Sequence, residues 1–395
     1  MRNGTILPFR STTYNVWVCR GELMRFIHTS DWQLGKPFGR APEQARAALL
    51  EARLDAIDAL AAAARREGAG FALVAGDVFD SPEPGDRIYR QALTRMKAAA
   101  DIRWVLLPGN HDPARADGLW SRLASEAPDT VIVCLEPQPI ELAEGYWLLP
   151  APLQYKRTQD DPTAWFDHAE TPAGVKRIGL AHGPIRDFGS STAGANLIAP
   201  DRARRAGLAY LALGDWHGRR EIDALTHYSG TPEPDDFDRE VSGVALRVDL
   251  AGEMPDVTQV GIGRYHWMSE SWSLASGAEL DEILANLAPG IERQHLVLRL
   301  RLSGLLTLAD RVALRDRLES ELAHEVRWLD LNLDDLYARP TDADLADIDA
   351  NGVLRVAAER LQALSETEDA AGKRAAAALE RLYVEQRRAD RLEAR

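Results

Sequence analysis

Residues 71–80 read FALVAGDVFD, a short apolar run that leads directly into a polar loop. An apolar run of this length, bounded by glycines, is typical of a buried strand. The same arrangement precedes it at 25–31 (RFIHTSD) and follows it at 104–112 (WVLLPGNHD), and apolar residues at helical spacing separate the three runs. This β-α-β-α-β order predicts a largely parallel sheet, whose ligands bind outside the carboxyl ends of the strands.

Further strands are predicted along the chain, at 130–135, 146–149, 177–181, 210–213 and 244–248. The runs at 177–181 and 210–213 again lead into polar loops, HG and GDWH. We therefore predict an α/β domain over residues 25–268, built as two layered sheets flanked by helices.

Three other segments complete the predicted organisation. Residues 1–24 form an N-terminal extension, with Met24 as an alternative start. Residues 271–335 contain a strictly alternating strand (LVLRLRL, 296–302) followed by a helix and another strand, which predicts a small α/β unit. Aspartates at 330–349 predict a solvated acidic connector, and the Ala-, Glu- and Arg-rich end predicts helices, so that 336–395 is a connector with C-terminal helices.

Composition limits the classes of function. The 395-residue chain is 45% hydrophobic with a net charge of −14, which fits a globular protein and counts against attraction to nucleic acid over the whole surface. A local basic groove is still allowed, from the arginines at 202–205 or at 219 and 220. The two cysteines, Cys19 and Cys134, are too few for a disulfide framework, and there is no apolar run long enough for a membrane span. We expect a cytoplasmic protein.

Polar side chains of similar chemistry follow five of the predicted strands. A single aspartate or histidine at the end of a strand is usually structural, but here the series repeats along one domain. Together, carboxylates and imidazoles that converge on one crevice form the ligand set that a pair of divalent cations requires. The strand ends carry Asp31 and Gln33, then Asp77, then Asn110 and His111, then His182, and finally Asp215 and His217.

The series DWQ, GDVFD, GNHD, HG and GDWH resembles the signature of the calcineurin-like metallophosphoesterases, which is D-x-H, G-D-x-x-D, G-N-H-D/E, H and G-H-x-H. Within that superfamily, HTSDWQLG at 28–35, AGDVFD at 75–80 and YSGTPEPDDF at 228–237 are similar to the SbcD nucleases of DNA repair. The resemblance covers about residues 25–268. It implies a metallophosphoesterase fold, a layered β-sandwich flanked by helices, with a small capping unit and a helical tail after it.

The resemblance also implies a role for each matching residue. One cation would be held by Asp31, Gln33, Asp77 and His217, and a second by Asp77, Asn110, His182 and Asp215. His111 would protonate the leaving group, and Asp112 would orient His111.

The sequence departs from the family pattern at two positions. Gln33 stands where the family has histidine, and Asp215 stands where it has the first histidine of G-H-x-H. More oxygen ligands favour harder cations, so we expect two Mn²⁺ ions, with Mg²⁺ as the alternative, rather than Zn²⁺. The amide of Gln33 is a weaker ligand than an imidazole, which predicts weak binding of the first cation.

The leading hypothesis is a metal-dependent DNA nuclease. The resemblance implies that its C-terminal helices dock on a coiled-coil ATPase of the SbcC type, and it allows a homodimer. An esterase for small phosphodiesters or phosphomonoesters is the first alternative, which the acidic composition favours. A non-catalytic scaffold with a weakened metal site is the second, suggested by Gln33 and Asp215.

Overall fold

The computed structural model describes residues 24–186, 194–237, 243–339, 352–367 and 369–393. The predicted extension before Met24 and residues 340–349 of the predicted acidic connector lie outside these residues. The chain divides into two compact units. The first is formed by the described parts of 1–37, 50–233 and 240–263, and the second by those of 38–49, 234–239 and 264–395.

Up to residue 263 the chain forms two sheets. Its strands are β1 (Arg25–Thr29), β2 (Phe71–Val74), β3 (Arg103–Leu106), β4 (Val131–Val133), β5 (Ile140–Ala143), β6 (Tyr146–Ala151), β7 (Lys176–His182), β8 (Leu208–Gly214), β9 (Arg220–Asp223), β10 (Thr226–Tyr228), β11 (Val244–Asp249) and β12 (Asp256–Gly261). Its helices are α1 (Glu43–Glu67), α2 (Asp86–Ala98), α3 (Leu119–Glu126) and α4 (Arg202–Arg205), with a 3₁₀ helix at Ala164–His168. One sheet has the order β12-β11-β1-β2-β3-β4, and the other β5-β6-β7-β8-β10-β9.

The two sheets pack face to face because their strands are apolar on both sides. In β1, Phe26 joins the core between the sheets, whereas its neighbour Ile27 faces the helices on the outer side. Successive side chains of a strand point to opposite faces, so each central strand supplies both layers. The predicted α/β class, layered sheets flanked by helices, is confirmed.

The direction of the strands places the polar loops at one edge of each sheet. Strands β1, β2, β3 and β4 run parallel to one another, and so do β6, β7 and β8. The loops that follow β1, β2 and β3 therefore leave the first sheet at the same edge, and those that follow β7 and β8 leave the second sheet together.

The second unit contains a three-stranded parallel sheet in the order β13-β14-β15. Its strands are β13 (His266–Leu274), β14 (Leu296–Thr307) and β15 (Trp328–Arg339), and its helices are α5 (Ala278–Ala285), α6 (Leu308–Arg317, continued by a π turn at Leu318–Leu322), α7 (Val353–Ser365) and α8 (Ala370–Glu393). The predicted strand–helix–strand order is present as β14-α6-β15. Strand β13 begins within the segment that the sequence assigned to the first domain.

One element was predicted wrongly. The segment from Asp330 to Arg339 is part of β15 rather than a solvated connector. Leu329, Leu331 and Leu333 alternate with its polar residues and pack against the core of the unit. Asp330 accepts a hydrogen bond from Arg299 of β14 at 2.7 Å, so its charge is paired across the sheet.

The C-terminal helices pack within the second unit. Leu308, Ala358, Leu379 and Tyr383 form a small buried cluster between α6, α7 and α8. Within the described part of the chain, no helix combines the length and apolar character needed to cross a membrane.

Candidate metal centre

The loops after β1 and β2 are tied together by backbone hydrogen bonds. Asp31 N–H donates to Gly76 O (3.1 Å), and Gln33 N–H donates to Asp77 O (2.9 Å). The buried side chain of Arg53, on α1, donates to the carbonyl oxygens of Asp31 and Trp32. The first two polar loops are thus fixed to each other before any ligand is bound.

Four predicted site residues have left-handed backbone conformations. The φ angles are 54° at Asp31, 40° at Gln33, 53° at Asp77 and 105° at Asp215. Non-glycine residues rarely adopt positive φ, and such strain concentrates at functional sites, where the surrounding structure maintains it.

Two glycines of the motifs are required by close approach. A Cβ atom on Gly109 would lie 2.1 Å from Asp77 Oδ1, and one on Gly214 would lie 1.9 Å from Ala75 O. Any larger residue would displace the loop of Asp77. The glycines of GNHD and GDWH therefore allow these two loops to close on the loop after β2.

The loops bring acidic and imidazole groups from both sheets together. Asp31, Asp77 and His182 each offer an atom within 4.8 Å of the others. His182 Nε2 lies 3.5 Å from Asp77 Oδ1 and 3.7 Å from Asp215 Oδ1. Asn110 Nδ2 donates to Asp215 Oδ1 at 2.9 Å, which adds the loop after β3 to the cluster.

Two polar atoms of this cluster are buried with no hydrogen-bond partner among the described residues, namely His182 Nε2 and Asn110 Oδ1. Burying polar atoms without hydrogen-bond partners costs free energy, so two such atoms in one cluster indicate a site for a ligand. His182 Nδ1–H donates to Ala75 O at 2.8 Å, which is how metal-binding histidines are usually oriented. The residues present therefore fit a divalent cation.

The electrostatics of the cluster also favour a cation. Burial alone would lower the pKa of His182, but the carboxylates of Asp77, Asp31 and Asp215 raise it to about 9. Burial raises the pKa of Asp215, against the lowering effect of His182, and the charges of Asp31 and Asp77 raise it further. Carboxylates this close repel one another, and a bound divalent cation would relieve that repulsion.

Gln33 and His217 form a second group beside Asp31. Gln33 Nε2 lies 3.2 Å from His217 Nε2, and His217 Nε2 lies 3.9 Å from Asp31 Oδ1. Lys36 Nζ donates to Gln33 Oε1 at 3.3 Å. The amide oxygen that would bind a cation thus accepts a hydrogen bond from an ammonium group in this structure.

The profile of the calcineurin-like phosphoesterase family matches residues 24–229, which is more than half of the chain. The chain belongs to this family. The polar loops described above lie within the matched residues.

Individual relatives match over less of their length or at low identity. The SbcD component of the SbcCD nuclease of Bacillus subtilis (strain 168) is 30% identical over 92 residues, which are 22% of this chain and 22% of that protein. A solved protein of Thermus thermophilus is 10% identical, with a TM-score of 0.40, and covers 61% of this chain and 100% of its own. A dimetal phosphatase from Danio rerio is 10% identical, with a TM-score of 0.36, and covers 61% of this chain and 99% of its own.

His111 and Asp112 of the phosphoesterase have different surroundings. His111 Nδ1–H donates to the carbonyl oxygen of Asp80 at 3.1 Å, which fixes the proton on Nδ1 and leaves Nε2 for another partner. Asp112 was expected to orient His111, but its two carboxylate oxygens accept hydrogen bonds from the backbone N–H groups of Phe79 (2.9 Å) and Gly109 (2.7 Å). Asp112 therefore holds the loop backbones, and Asp80 contacts the ring.

Several residues that support the site were not predicted from the sequence. Arg53 and Lys36 were not singled out, although Arg53 is an arginine on the apolar side of a predicted helix, next to Leu54, which is a detectable signal. Ser30 Oγ donates to Asp31 Oδ2 at 2.6 Å, and Tyr228 O–H donates to Gly183 O at 2.9 Å. These contacts join residues that are far apart in the chain or depend on the conformation of a loop, so the spacing of residues in the sequence does not predict them.

Proposed function

We propose that this phosphoesterase is a DNA nuclease that hydrolyses phosphodiester bonds with two bound Mn²⁺ ions. The observation that carries the proposal is the convergence of Asp31, Asp77 and His182, with Asp215 and Asn110 beside them, at the edge of the two sheets. The short match to a nuclease component supports DNA as the substrate.

The chain offers two overlapping ligand sets for the cations. We assign Asp31, Gln33, Asp77 and His217 to one cation, and Asp77, Asn110, His182 and Asp215 to the other. When bound, the cations supply an activated water nucleophile and offset charge on the phosphoryl oxygens. Three carboxylates among these ligands favour Mn²⁺ or Mg²⁺ over Zn²⁺.

His111 is the group proposed to protonate the leaving oxygen. The hydrogen bond from Nδ1–H to Asp80 O orients the ring, so a proton on Nε2 is the one available for transfer. His111 N–H donates to Asp77 Oδ1 at 2.8 Å, which couples the position of the ring to a proposed metal ligand. Histidine is the side chain that most often transfers protons to or from reacting groups in enzymes.

The experiment that tests the proposal is cleavage of end-labelled single-stranded and double-stranded DNA by the purified protein, with and without Mn²⁺. We expect cleavage only with the metal. Asp77→Asn, which keeps an oxygen for His111 N–H, should abolish it. Metal-dependent hydrolysis of small esters without any DNA cleavage would instead support a small-molecule phosphodiesterase, which the net charge of −14 favours.

A coiled-coil ATPase subunit is proposed as the partner. Val353, Leu354, Val356 and Leu364 of α7 are exposed apolar side chains, with Val353 exposed by 84%. Such residues along one helix suit docking of an apolar helix. Replacing Val353 and Val356 by Ser should weaken binding of that ATPase in a titration and leave ester hydrolysis unchanged.

A further inference from the structure

Two large aromatic side chains of the first unit are exposed in loops at the edge that carries the metal centre. Tyr155 is 73% exposed in the loop after β6, and Trp216 is 39% exposed in the loop after β8. Most tryptophans of a globular domain are largely buried, as Trp104 and Trp120 are here. The exposure of Trp216, directly between Asp215 and His217, therefore calls for an explanation.

The order of strands places these two residues on either side of His182. Strand β7, which ends in His182, lies between β6 and β8 in the sheet, and all three run parallel. Neighbouring strands are about 4.8 Å apart, so the ends of β6 and β8 are separated by roughly 10 Å. Tyr155 and Trp216 thus follow the two strands that flank the proposed ligand His182.

Both aromatic residues stand between anchored backbone segments. Leu153 O accepts from Ala114 N–H at 2.8 Å, and Lys156 O accepts from Asn196 Nδ2 at 3.0 Å, so the chain is held before and after Tyr155. Asp215 N–H donates to Asp31 Oδ2 at 3.2 Å, and His217 O accepts from Thr231 N–H at 2.9 Å, which holds the chain on both sides of Trp216. Backbone anchored in this way loses little conformational entropy when the residues that it carries bind a ligand.

Positive charge accompanies both rings. The guanidinium carbon of Arg220 lies 4.7 Å from the centroid of the Trp216 ring, as expected of a cation–π contact, and Arg219 is exposed beside it. Lys156 and Arg157 are exposed next to Tyr155. Basic residues next to exposed aromatic rings favour an anionic ligand with flat rings. Single-stranded nucleic acid, which stacks its bases on aromatic side chains and contacts basic residues through its phosphates, has this chemistry.

We propose that Trp216 and Tyr155 are stacking positions for two unpaired bases on either side of the phosphate that is hydrolysed, so that the substrate is single-stranded or has an unpaired end. This inference rests on the proposed function and names the substrate class for the same site. Arg220 lies over one face of Trp216, and the base stacks on the opposite face.

The test compares two chromogenic esters with the same leaving group, the p-nitrophenyl ester of thymidine 5′-phosphate and methyl p-nitrophenyl phosphate. Base–aromatic stacking is worth roughly a fivefold to hundredfold effect, so Trp216→Ala should lower kcat/KM for the thymidine ester by at least about fivefold. Hydrolysis of the methyl ester should stay within about twofold of the wild type, since it has no base to stack. Trp216→Phe, which keeps a ring, should retain most of the preference.

Two further variants sharpen the result. When Tyr155→Ala is added to the inactive Asp77→Asn protein, binding of a single-stranded oligonucleotide should weaken. An oligonucleotide of the same length without bases should bind Asp77→Asn with and without Tyr155→Ala equally. Met254→Ala is the matched control, because Met254 is 54% exposed between β11 and β12, at the opposite ends of these strands from the site. It should change none of these values.

The outcomes separate this inference from the proposed function. Equal losses on both esters in Trp216→Ala, or no loss on either, would overturn the stacking role. If that variant loses Mn²⁺ binding, Trp216→Leu, apolar but without a ring face, takes its place. Selective loss on the thymidine ester in a protein that cleaves no DNA would support the stacking role and refute the nuclease.

Discussion

His182 Nε2 lies 3.5 Å from Asp77 Oδ1, while Nδ1–H of the same ring donates to Ala75 O at 2.8 Å. Because a carbonyl oxygen can only accept, Nδ1 carries a proton and Nε2 is the atom directed at the carboxylates. Nε2 is therefore the position at which a proton and a metal cation compete.

The first prediction concerns that competition. Burial by itself would lower the pKa of His182, but Asp77, Asp31 and Asp215 raise it to about 9 in the metal-free protein. A cation binds only the neutral ring, so it must displace a proton below that pH, and Mn²⁺ affinity should rise by about tenfold per pH unit from pH 7 to 9. Titration calorimetry in buffers of different ionisation enthalpy should detect about one proton released at pH 7.5. An affinity that is the same at pH 7 and pH 9 would contradict this.

His111→Ala should lose about 10²- to 10⁴-fold in turnover on phosphodiesters with an alkoxide leaving group, which needs a proton as it departs. Esters of p-nitrophenol should lose far less, because p-nitrophenolate leaves without protonation. Steady-state rates on both substrate types, at saturating Mn²⁺, give the comparison. Asp80 contributes only its backbone carbonyl to His111, so Asp80→Ala is a suitable control. Equal losses on both substrates would show that His111 is not the acid.

The fold was predictable because its strands are short apolar runs that end in polar loops. Parallel neighbours must place those loops at a common edge, which groups Asp77 with Asp31 and Asn110 in one sheet, and His182 with Asp215 in the other. Strand β15 was not predictable in the same way. Its many acidic residues indicated a solvated segment, although Leu329 and Leu331 alternate with polar residues as in a strand. Asp330 is paired with Arg299 of another strand, and the sequence does not show that pairing.

The types of residue in the site could be predicted from the sequence, but the contacts between them could not. The family resemblance implied that Asp112 orients His111. The left-handed turn at Asp77 instead brings Phe79 N–H to the Asp112 carboxylate. Lys36 reaches Gln33 because the chain turns back between them, and no spacing rule distinguishes this lysine from an ordinary exposed one.

Gln33 provides a prediction about metal affinity. Its amide oxygen accepts from Lys36 Nζ at 3.3 Å, so a cation at this position would compete with an ammonium group for a weak ligand. Gln33→His should lower the Mn²⁺ concentration at half-maximal activity, and Gln33→Ala should raise it. Lys36→Met, which removes the competing charge, should also lower it. Superimposable titration curves for the wild type and the two Gln33 variants would place Gln33 outside the coordination sphere.

Glu380 should be important for the stability of the second unit. It is buried on α8 and forms ion pairs with Arg311 and Arg315 of α6, the latter at 2.6 Å. Removing one partner of a buried pair leaves uncompensated charge, so Glu380→Ala should lower the free energy of unfolding by about 3 kcal/mol. Glu359→Ala, which breaks the exposed pair with Arg355, should cost at most about 0.5 kcal/mol. Denaturant unfolding measures both, and equal effects would contradict the assignment.

The last prediction concerns acid stability and a histidine that is not a proposed ligand. His28 is fully buried in β1, where Nε2–H donates to Leu213 O (3.1 Å) and Nδ1 accepts from the Tyr210 hydroxyl (3.0 Å). Protonation of Nδ1 would remove its role as the acceptor, whereas the hydrogen bond to Leu213 O is kept by the charged ring and raises the pKa. Burial, and then the charge of His227, lower the pKa of His28 to about 3.

The sign of the pH dependence follows from these values. In the unfolded chain His28 titrates at about 6.5 and binds a proton that the folded protein excludes. Its contribution to stability is therefore complete above pH 6.5 and is lost as the pH falls towards 3, by about 1.4 kcal/mol per pH unit. His28→Gln removes this titration, so its free energy of unfolding, measured with a metal chelator present, should fall less steeply between pH 6.5 and 4 than that of the wild type. His168→Gln, at an exposed position, should follow the wild type, and parallel profiles for His28→Gln and the wild type would show that His28 is not held neutral.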